Sequence, residues 1–436
     1  MTATTVRSAA RRSAVVAMAA AGVLTLTPVP AQAAPPEGAC TNPDPARPAV
    51  VEQPWAQRAL DPASVWRHST GAGVLVAVVD SGVDADHPQL RADGKVLRGQ
   101  DFYLVGDLPG NFDCVSHGTA VASIVAASRA DGVGFSGIAP GARILPVRIS
   151  ERDLTDNGAS EPVDPAVLAR GIWYAADQGA KVINLSLAGT VDDRFVRDAV
   201  AYARSKDALV IAAAGNAQED TLPGEPSYPA GYEGVLGVGA VEENGQRLGN
   251  SQIGPQVDLV APGGAVLGAT RAGGHEYWQG TSFATAFVSG TAALVRAAWP
   301  ELSADEVARR LVATATPAPG GADSQAYGAG LVNPARAVSD GLSDEVPRRI
   351  ADPEVPEPDP DAVAAAAWWD RMGTTARLTA GAAGAAAVAA VVLTWLVVRG
   401  RRGRFRARRA EPPAARASAD ELPEEMFLLP RPAPER

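Results

Sequence analysis

Gly73-Val74-Leu75-Val76-Ala77-Val78-Val79-Asp80 is a nearly unbroken apolar run that ends in a carboxylate. A strand with one wet face alternates apolar and polar residues, whereas a parallel strand covered on both faces reads as continuously apolar. The run therefore predicts an interior parallel strand with Asp80 at its carboxyl end. Similar runs recur at residues 144–149, 181–187, 208–214, 235–241 and 257–261, with helical patterns at 118–127, 165–178 and 191–205. Strands alternating with helices predict an α/β fold around a mostly parallel central sheet. In such sheets the chemistry gathers at the carboxyl ends of the strands, so reactive side chains at those ends carry the functional reading.

Four stretches supply such side chains. Asp80 ends the first run in Val78-Val79-Asp80-Ser81-Gly82. His117 opens a helical pattern in Ser116-His117-Gly118-Thr119-Ala120, and Asn216 follows a strand pattern in Ala212-Ala213-Ala214-Gly215-Asn216. Ser282 stands in Gly280-Thr281-Ser282-Phe283-Ala284, just before the apolar segment 287–299. Its backbone N–H would point from the positive end of a buried helix, where an oxyanion can be held. Taken singly, each has an ordinary explanation: a turn acid, a helix-capping histidine, a turn asparagine, a helix N-cap. Together they furnish a nucleophile, a base, a group to orient the base and an oxyanion donor, the set that peptide hydrolysis requires. The order Asp, His, Ser is that of subtilisin and differs from the orders of chymotrypsin and the α/β-hydrolases. The serine turn is also no hydrolase elbow, because glycine is missing two residues after Ser282.

On these motifs, residues 60–338 resemble a subtilisin-family serine protease. The resemblance implies the three-layer subtilisin-like fold, a triad of Asp80, His117 and Ser282, and Asn216 as side-chain oxyanion donor. Val182-Ile183-Asn184-Leu185-Ser186-Leu187 is similar to the family's substrate-pairing strand, so Ser186, Leu187, Ala214 and Gly215 are expected to line the substrate cleft. Residues 134–140 and Tyr228-Pro229-Ala230 also match, and Ala188 stands where many members have glycine. His87 matches a structural loop of the family, and His275 has no matching role. No cofactor is expected and no metal ligand is assigned; the resemblance leaves calcium open, since several members bind it, but the acid-rich loop 151–164 lacks regular ligand spacing and reads as a solvated insertion.

The ends of the chain carry topology signals. Arg7, Arg11 and Arg12, the uncharged residues 13–29 and Ala31-Gln32-Ala33 follow the order of a secretory signal, with cleavage expected after Ala33 and a signal peptide at 1–33. Residues 378–398 hold 21 residues without a charge, about 30 Å of helix, enough to cross a bilayer. Trp368 and Trp369 precede that segment and seven arginines lie between Arg399 and Arg409. Cations on the cytoplasmic side would put the body of the chain outside. The domain plan is thus an N-terminal extension at 34–60, a peptidase domain at 61–340, a linker rich in proline and acid at 341–376, a membrane helix at 377–398 and a basic, disordered tail at 399–436. Within 303–306, Ser303 and Glu306 fit a capping box. The net charge of −10, with only Lys95, Lys181 and Lys206 as lysines, argues against a nucleic-acid partner. Cys40 and Cys114 both fall on the exported side, where an even count favours a disulfide, two buried thiols being the alternative.

Signal, short cysteine-bearing extension, Asp113-Cys114-Val115-Ser116-His117, proline-rich tether and single C-terminal span together resemble the mycosins, membrane-anchored proteases of actinobacterial type VII secretion. The resemblance implies a polypeptide substrate, secretion-system membrane components as partners and an extracytoplasmic catalytic domain. The extension is expected to be a strap held by Cys40 and Cys114, being too short for the prodomain of secreted subtilisins. A second reading, from another class, makes the protease fold a brace within the secretion complex, with proteolysis slight or dispensable.

Overall fold

The computed structural model describes residues 35–104, 106–151, 163–218, 223–321, 324–342 and 360–402. The expected signal peptide, most of the acidic loop and nearly all of the basic tail lie outside them. The chain divides between Asp344 and Glu345 into two compact units.

In the first unit the apolar runs become strands β1 (Leu75–Asp80), β2 (Gln100–Asp101), β3 (Arg143–Arg148), β4 (Val182–Leu185), β5 (Leu209–Ala213), β6 (Val235–Val241) and β7 (Leu259–Pro262). They form one sheet in the order β2-β3-β1-β4-β5-β6-β7, and every pairing is parallel. The continuous apolarity of β1 has a direct cause. Val76 and Val78 join the core shared with helices α2 (His117–Ala126) and α5 (Thr281–Ala298). Leu75, Ala77 and Val79 join the opposite core, under α3 (Pro165–Asp177) and α4 (Arg194–Ser205). Burying each of these valines contributes about 1.5–3 kcal/mol, and a polar residue on either face would forfeit its share. This is the expected three-layer arrangement.

Strand order reverses between β1 and β4, since the chain first places β2 and β3 on one side of β1 and then builds outward on the other through β4, β5, β6 and β7. The crevice at such a reversal is where open α/β sheets bind their ligands. The helix α5 fills the layer beneath it, and its residues from Thr281 to Arg296 are all buried. Its side chains are apolar or are polar groups bonded within the protein, such as Ser289 to Asn184 and Thr291 to the Phe287 carbonyl, so it can be buried on every side. Gly290 permits close packing there, because a Cβ would meet Ile138 Cβ at 2.7 Å and the Val125 carbonyl of α2 at 3.3 Å.

Smaller elements differ from the sequence expectation. Over 60–69 the sequence predicts one short helix with Pro62 near its first turn, but the segment is split: α1 (Trp55–Leu60) ends at Asp61, which is left-handed at φ 39°, and Pro62 opens a separate 3₁₀ turn, Pro62–Val65. Proline cannot donate into a preceding helix. Ala56 and Leu60 reach the main core, so the last residues of the extension belong to the folded body. The antiparallel pair β8 (Val266–Ala269) and β9 (His275–Trp278) turns through left-handed Ala272, Gly273 and Gly274. Helix α6 (Ala304–Ala313) carries the capping box at Ser303 and Glu306, and α7 (Pro334–Ser339) closes the first unit. In the second unit α8 (Pro360–Arg402) begins within the residues assigned to the linker. Its first turns are alanine-rich, and alanine is the strongest helix former.

Residues 35–53 contain no helix or strand. Their backbone is tied down by the disulfide Cys40–Cys114, by Asp44 N–H to Cys114 O (2.9 Å), by Arg47 N–H to Gly273 O (3.0 Å) and by Gly134 N–H to Val50 O (3.0 Å). The segment is therefore a strap across the loop before α2 and the β8–β9 turn.

Candidate active site

Asp80 is the last residue of β1 and His117 the first of α2, so the sheet edge and the helix start bring acid and imidazole together. Asp80 Oδ1 stands 2.7 Å from His117 Nδ1 and also accepts the Ser81 N–H at 2.7 Å. Both side chains are buried. A carboxylate on Nδ1 fixes the tautomer that leaves Nε2 as the proton acceptor. The imidazole packs against Phe283, with ring centroids 5.2 Å apart, which brings it beside the neighbouring Ser282.

Ser282 occupies the first turn of α5. Its N–H has no intrahelical partner at that position. Its hydroxyl donates to the backbone carbonyl of Ser186 at 3.1 Å, and no Ser282–His117 hydrogen bond is formed among the described residues. Resting sites often close this contact only with substrate. Gly280 caps the helix at φ 138°, a conformation that favours glycine. Asn216 follows β5 and is exposed. Its Oδ1 accepts both the Thr281 N–H (2.9 Å) and the Thr281 hydroxyl (3.0 Å). Those donors orient the amide, and Nδ2 then lies over Gly280, 3.2 Å from where a Cβ would stand. Asp80, His117, Ser282 and Asn216 thus converge at the β1–β4 switch point.

The residues expected to line the cleft lie alongside. Ser186 Oγ donates to Ser282 O at 2.9 Å and accepts from Asn184 Nδ2 at 2.8 Å. Asn184 Oδ1 in turn accepts from Ser289 Oγ at 2.9 Å. This chain of bonds ties β4 to the serine helix. Gly215, at φ 109°, has Ala188 Cβ and the Gln252 side chain packed where its own Cβ would be. Leu187 and Ala214 are buried.

Sequence reasoning did not single out Asn184, Ser289 or Thr281, nor Ser81, Asp113 and Thr119 beneath the histidine. A polar residue within an otherwise apolar strand pattern, as at Asn184, was the available signal. Asp113 is fully buried, and burial pushes its carboxyl up to about 6. His275 also has a structural place: its Nδ1 accepts the strap's Val50 N–H at 3.3 Å and its Nε2 lies 2.7 Å from Gln89 Oε1. Burial, with His87 nearby, pulls its pKa down to about 4.

An imidazole–carboxylate pair and a helix-borne serine, met in the order Asp, His, Ser along a parallel α/β sheet, define the class of subtilisin-type serine endopeptidases. Residues 71–330, more than half of the chain, match the Subtilase family model, and the chain belongs to that family. Among its relatives is Mycosin-1 of Mycolicibacterium smegmatis, 34% identical over 359 residues covering 71% of this chain and 78% of the relative. The structure of the serine protease MycP1, an essential component of the type VII (ESX-1) secretion system, superposes with TM-score 0.58 at 34% identity, covering 67% of this chain and 92% of that one. A chain of the intact ESX-5 inner membrane complex aligns with TM-score 0.59 at 30% identity, over 78% of this chain and 94% of that one. The chain is therefore a mycosin-like serine endopeptidase.

Proposed function

We propose that the chain is a membrane-anchored endopeptidase that cleaves exported proteins by Ser-His-Asp acyl transfer beside a type VII secretion system. The observation that carries this reading is the 2.7 Å Asp80–His117 contact facing the first turn of α5. Rotation of the Ser282 side chain away from the Ser186 carbonyl brings Oγ to His117 Nε2. His117 takes the proton as Oγ attacks the scissile carbonyl, while Asp80 stabilises the imidazolium. Asn216 Nδ2 and the Ser282 N–H receive the oxyanion, and the freed Ser186 carbonyl accepts an N–H of the extended substrate. His117 returns the proton to the leaving amine. Water, activated by the same imidazole, then releases the acyl group.

Anchoring rests on residues Thr375–Arg401, the one segment among the described residues long and apolar enough to cross a membrane, with none of its most apolar window buried against protein. The arginines from Arg399 onward orient it with the peptidase unit outside the cytoplasm. Secretion-system components as partners are supported by the likeness to a chain of an assembled inner membrane complex. That same likeness favours a second reading, in which the body braces the complex and turnover is secondary.

Ser282→Ala and a full deletion, compared in the source organism, separate the two. The endopeptidase reading expects Ser282→Ala to abolish new N-termini among the exported proteins. Secretion lost in the deletion but intact in Ser282→Ala would assign the essential role to the brace.

A further inference from the structure

Beneath the Asp80–His117 pair, the hydrogen bonds converge on a carboxylate that the proposed chemistry does not use. Asp113 is 2% exposed. Its Oδ1 accepts from the Ser81 hydroxyl (3.0 Å) and the Val115 N–H (3.1 Å). Its Oδ2 accepts from the Thr119 N–H (2.9 Å) and the Thr119 hydroxyl (2.7 Å). Four donors on two oxygens complete the needs of an ionised carboxylate, whereas a carboxylic acid would add a donor with no acceptor to receive it.

The donors come from both sides of the dyad. Ser81 directly follows Asp80, and Thr119 lies in the first turn of the helix that His117 opens. The Ser81 hydroxyl also accepts the Gly118 N–H at 2.9 Å. Gly82 pairs with Asp113 through the backbone, and the Thr119 hydroxyl accepts the Asp84 N–H at 2.9 Å. The nearby cations are committed elsewhere. Arg148 donates to the Ser81 carbonyl, Asp101 and Glu151. Arg271 donates to the backbone carbonyls of Asp113 and Asp44. Among the described residues neither forms a salt bridge with the Asp113 carboxylate. A buried anion satisfied only by hydrogen bonds is costly to keep, and its position joins the two residues whose separation must be held.

We infer that Asp113 is a positioning residue for the Asp80–His117 pair, its ionised carboxylate clamping the loop after β1 to the first turn of α2. This rests on the Ser-His-Asp reading proposed above. The clamp adds a second anion behind the imidazole, where it favours the imidazolium. The ionisable groups around it are Asp80, Asp84, His117, Arg148 and Arg271. The covalent strap reaches the same point, because Cys114 is bonded to Cys40 and follows Asp113 directly.

Asp113→Asn in the full detergent-solubilised chain tests this, with a fluorogenic peptide amide selected from a mixed-sequence set as substrate. Expected are a fall in kcat of about ten- to a hundredfold with KM little changed, and an acid limb of the kcat profile displaced to lower pH. The low-field proton resonance of the His117 Nδ1–H should shift or broaden. Ser81→Ala, which deletes a single hydroxyl of the clamp, should move all three in the same direction by less, and carries the test if Asp113→Asn does not fold. Folded variants with wild-type kcat and an unchanged resonance overturn the inference, even with a lowered Tm, since a merely structural role predicts that pattern. Ser282→Ala keeps the two failures apart. Turnover surviving in Ser282→Ala would remove the underlying triad reading, whereas an inactive Ser282→Ala beside an unaffected Asp113→Asn overturns the positioning role alone.

Discussion

Asp80 and His117 meet inside a set of buried hydrogen bonds that also takes in Ser81, Asp113 and Thr119. Ser282, on the neighbouring helix, gives its hydroxyl to the Ser186 carbonyl, and Asn216 stands exposed with, among the described residues, only its amide oxygen engaged. On the proposed chemistry, the acid–base half is therefore set before substrate arrives, while the nucleophile half is completed by one side-chain rotation. Charge explains the division. An imidazolium formed in that buried place would need fixed partners there, whereas a neutral hydroxyl can wait on a carbonyl acceptor at little cost. The strap belongs to the fixed half, since it is bonded to the residue next to Asp113.

Breaking the fixed half should cost most. Asp80→Asn leaves the shape but presents the wrong tautomer to His117, and turnover should fall about 10⁴-fold, read as kcat on a peptide amide. Activity within tenfold of wild type would remove Asp80 from the mechanism. In the nucleophile half, Asn216→Ala should lower kcat by about 10²–10³-fold, the loss attached to one oxyanion donor in subtilisin. An Asn216→Ala protein with full activity would leave the oxyanion to other donors.

Replacing both cysteines by serine separates stability from chemistry. The bond joins residues 74 apart, and on the chain-entropy model a loop of that size stabilises by up to about 4 kcal/mol. Tm should drop by roughly 5–10 °C while kcat per folded molecule changes little. A large kcat loss at unchanged Tm would show the strap acting on the dyad directly.

The smallest effect concerns His275, whose neutral Nδ1 receives the strap. Its folded pKa lies below its ordinary 6.5, at about 4, so between those values the unfolded chain binds more protons and stability falls as pH drops. Asp113 acts oppositely between its ordinary 3.8 and about 6, since there the folded state holds the extra proton. His275→Gln can accept the Val50 N–H without titrating, so Tm should decline less steeply between pH 6.5 and 4 than in the wild type. Parallel Tm profiles would mean that His275 is not what couples the strap to pH.

The parts of this molecule that were legible in its sequence are those with a local cause. A strand covered on both faces must be apolar throughout, which is why β1 and β3 to β6 could be placed within about two residues. The candidate site residues Asp80, His117, Asn216 and Ser282 stood out together because each sits at an element end within two residues of a glycine. What the sequence concealed is held together by distant contacts. Helix α1 is fixed by Trp55 Nε1–H reaching the Gly264 carbonyl at 3.1 Å, and the four-residue strands β8 and β9 are too short to show a period despite the Gly273-Gly274 turn between them. Asp113 reads as a loop acid until Ser81 and Thr119 are folded around it.

A serine-reactive fluorophosphonate followed by peptide mapping tests the central claim most directly. The account predicts a single labelled residue, Ser282, with labelling abolished in His117→Ala because the hydroxyl is then never activated. Labelling on another serine, or undiminished labelling of Ser282 without His117, would contradict it.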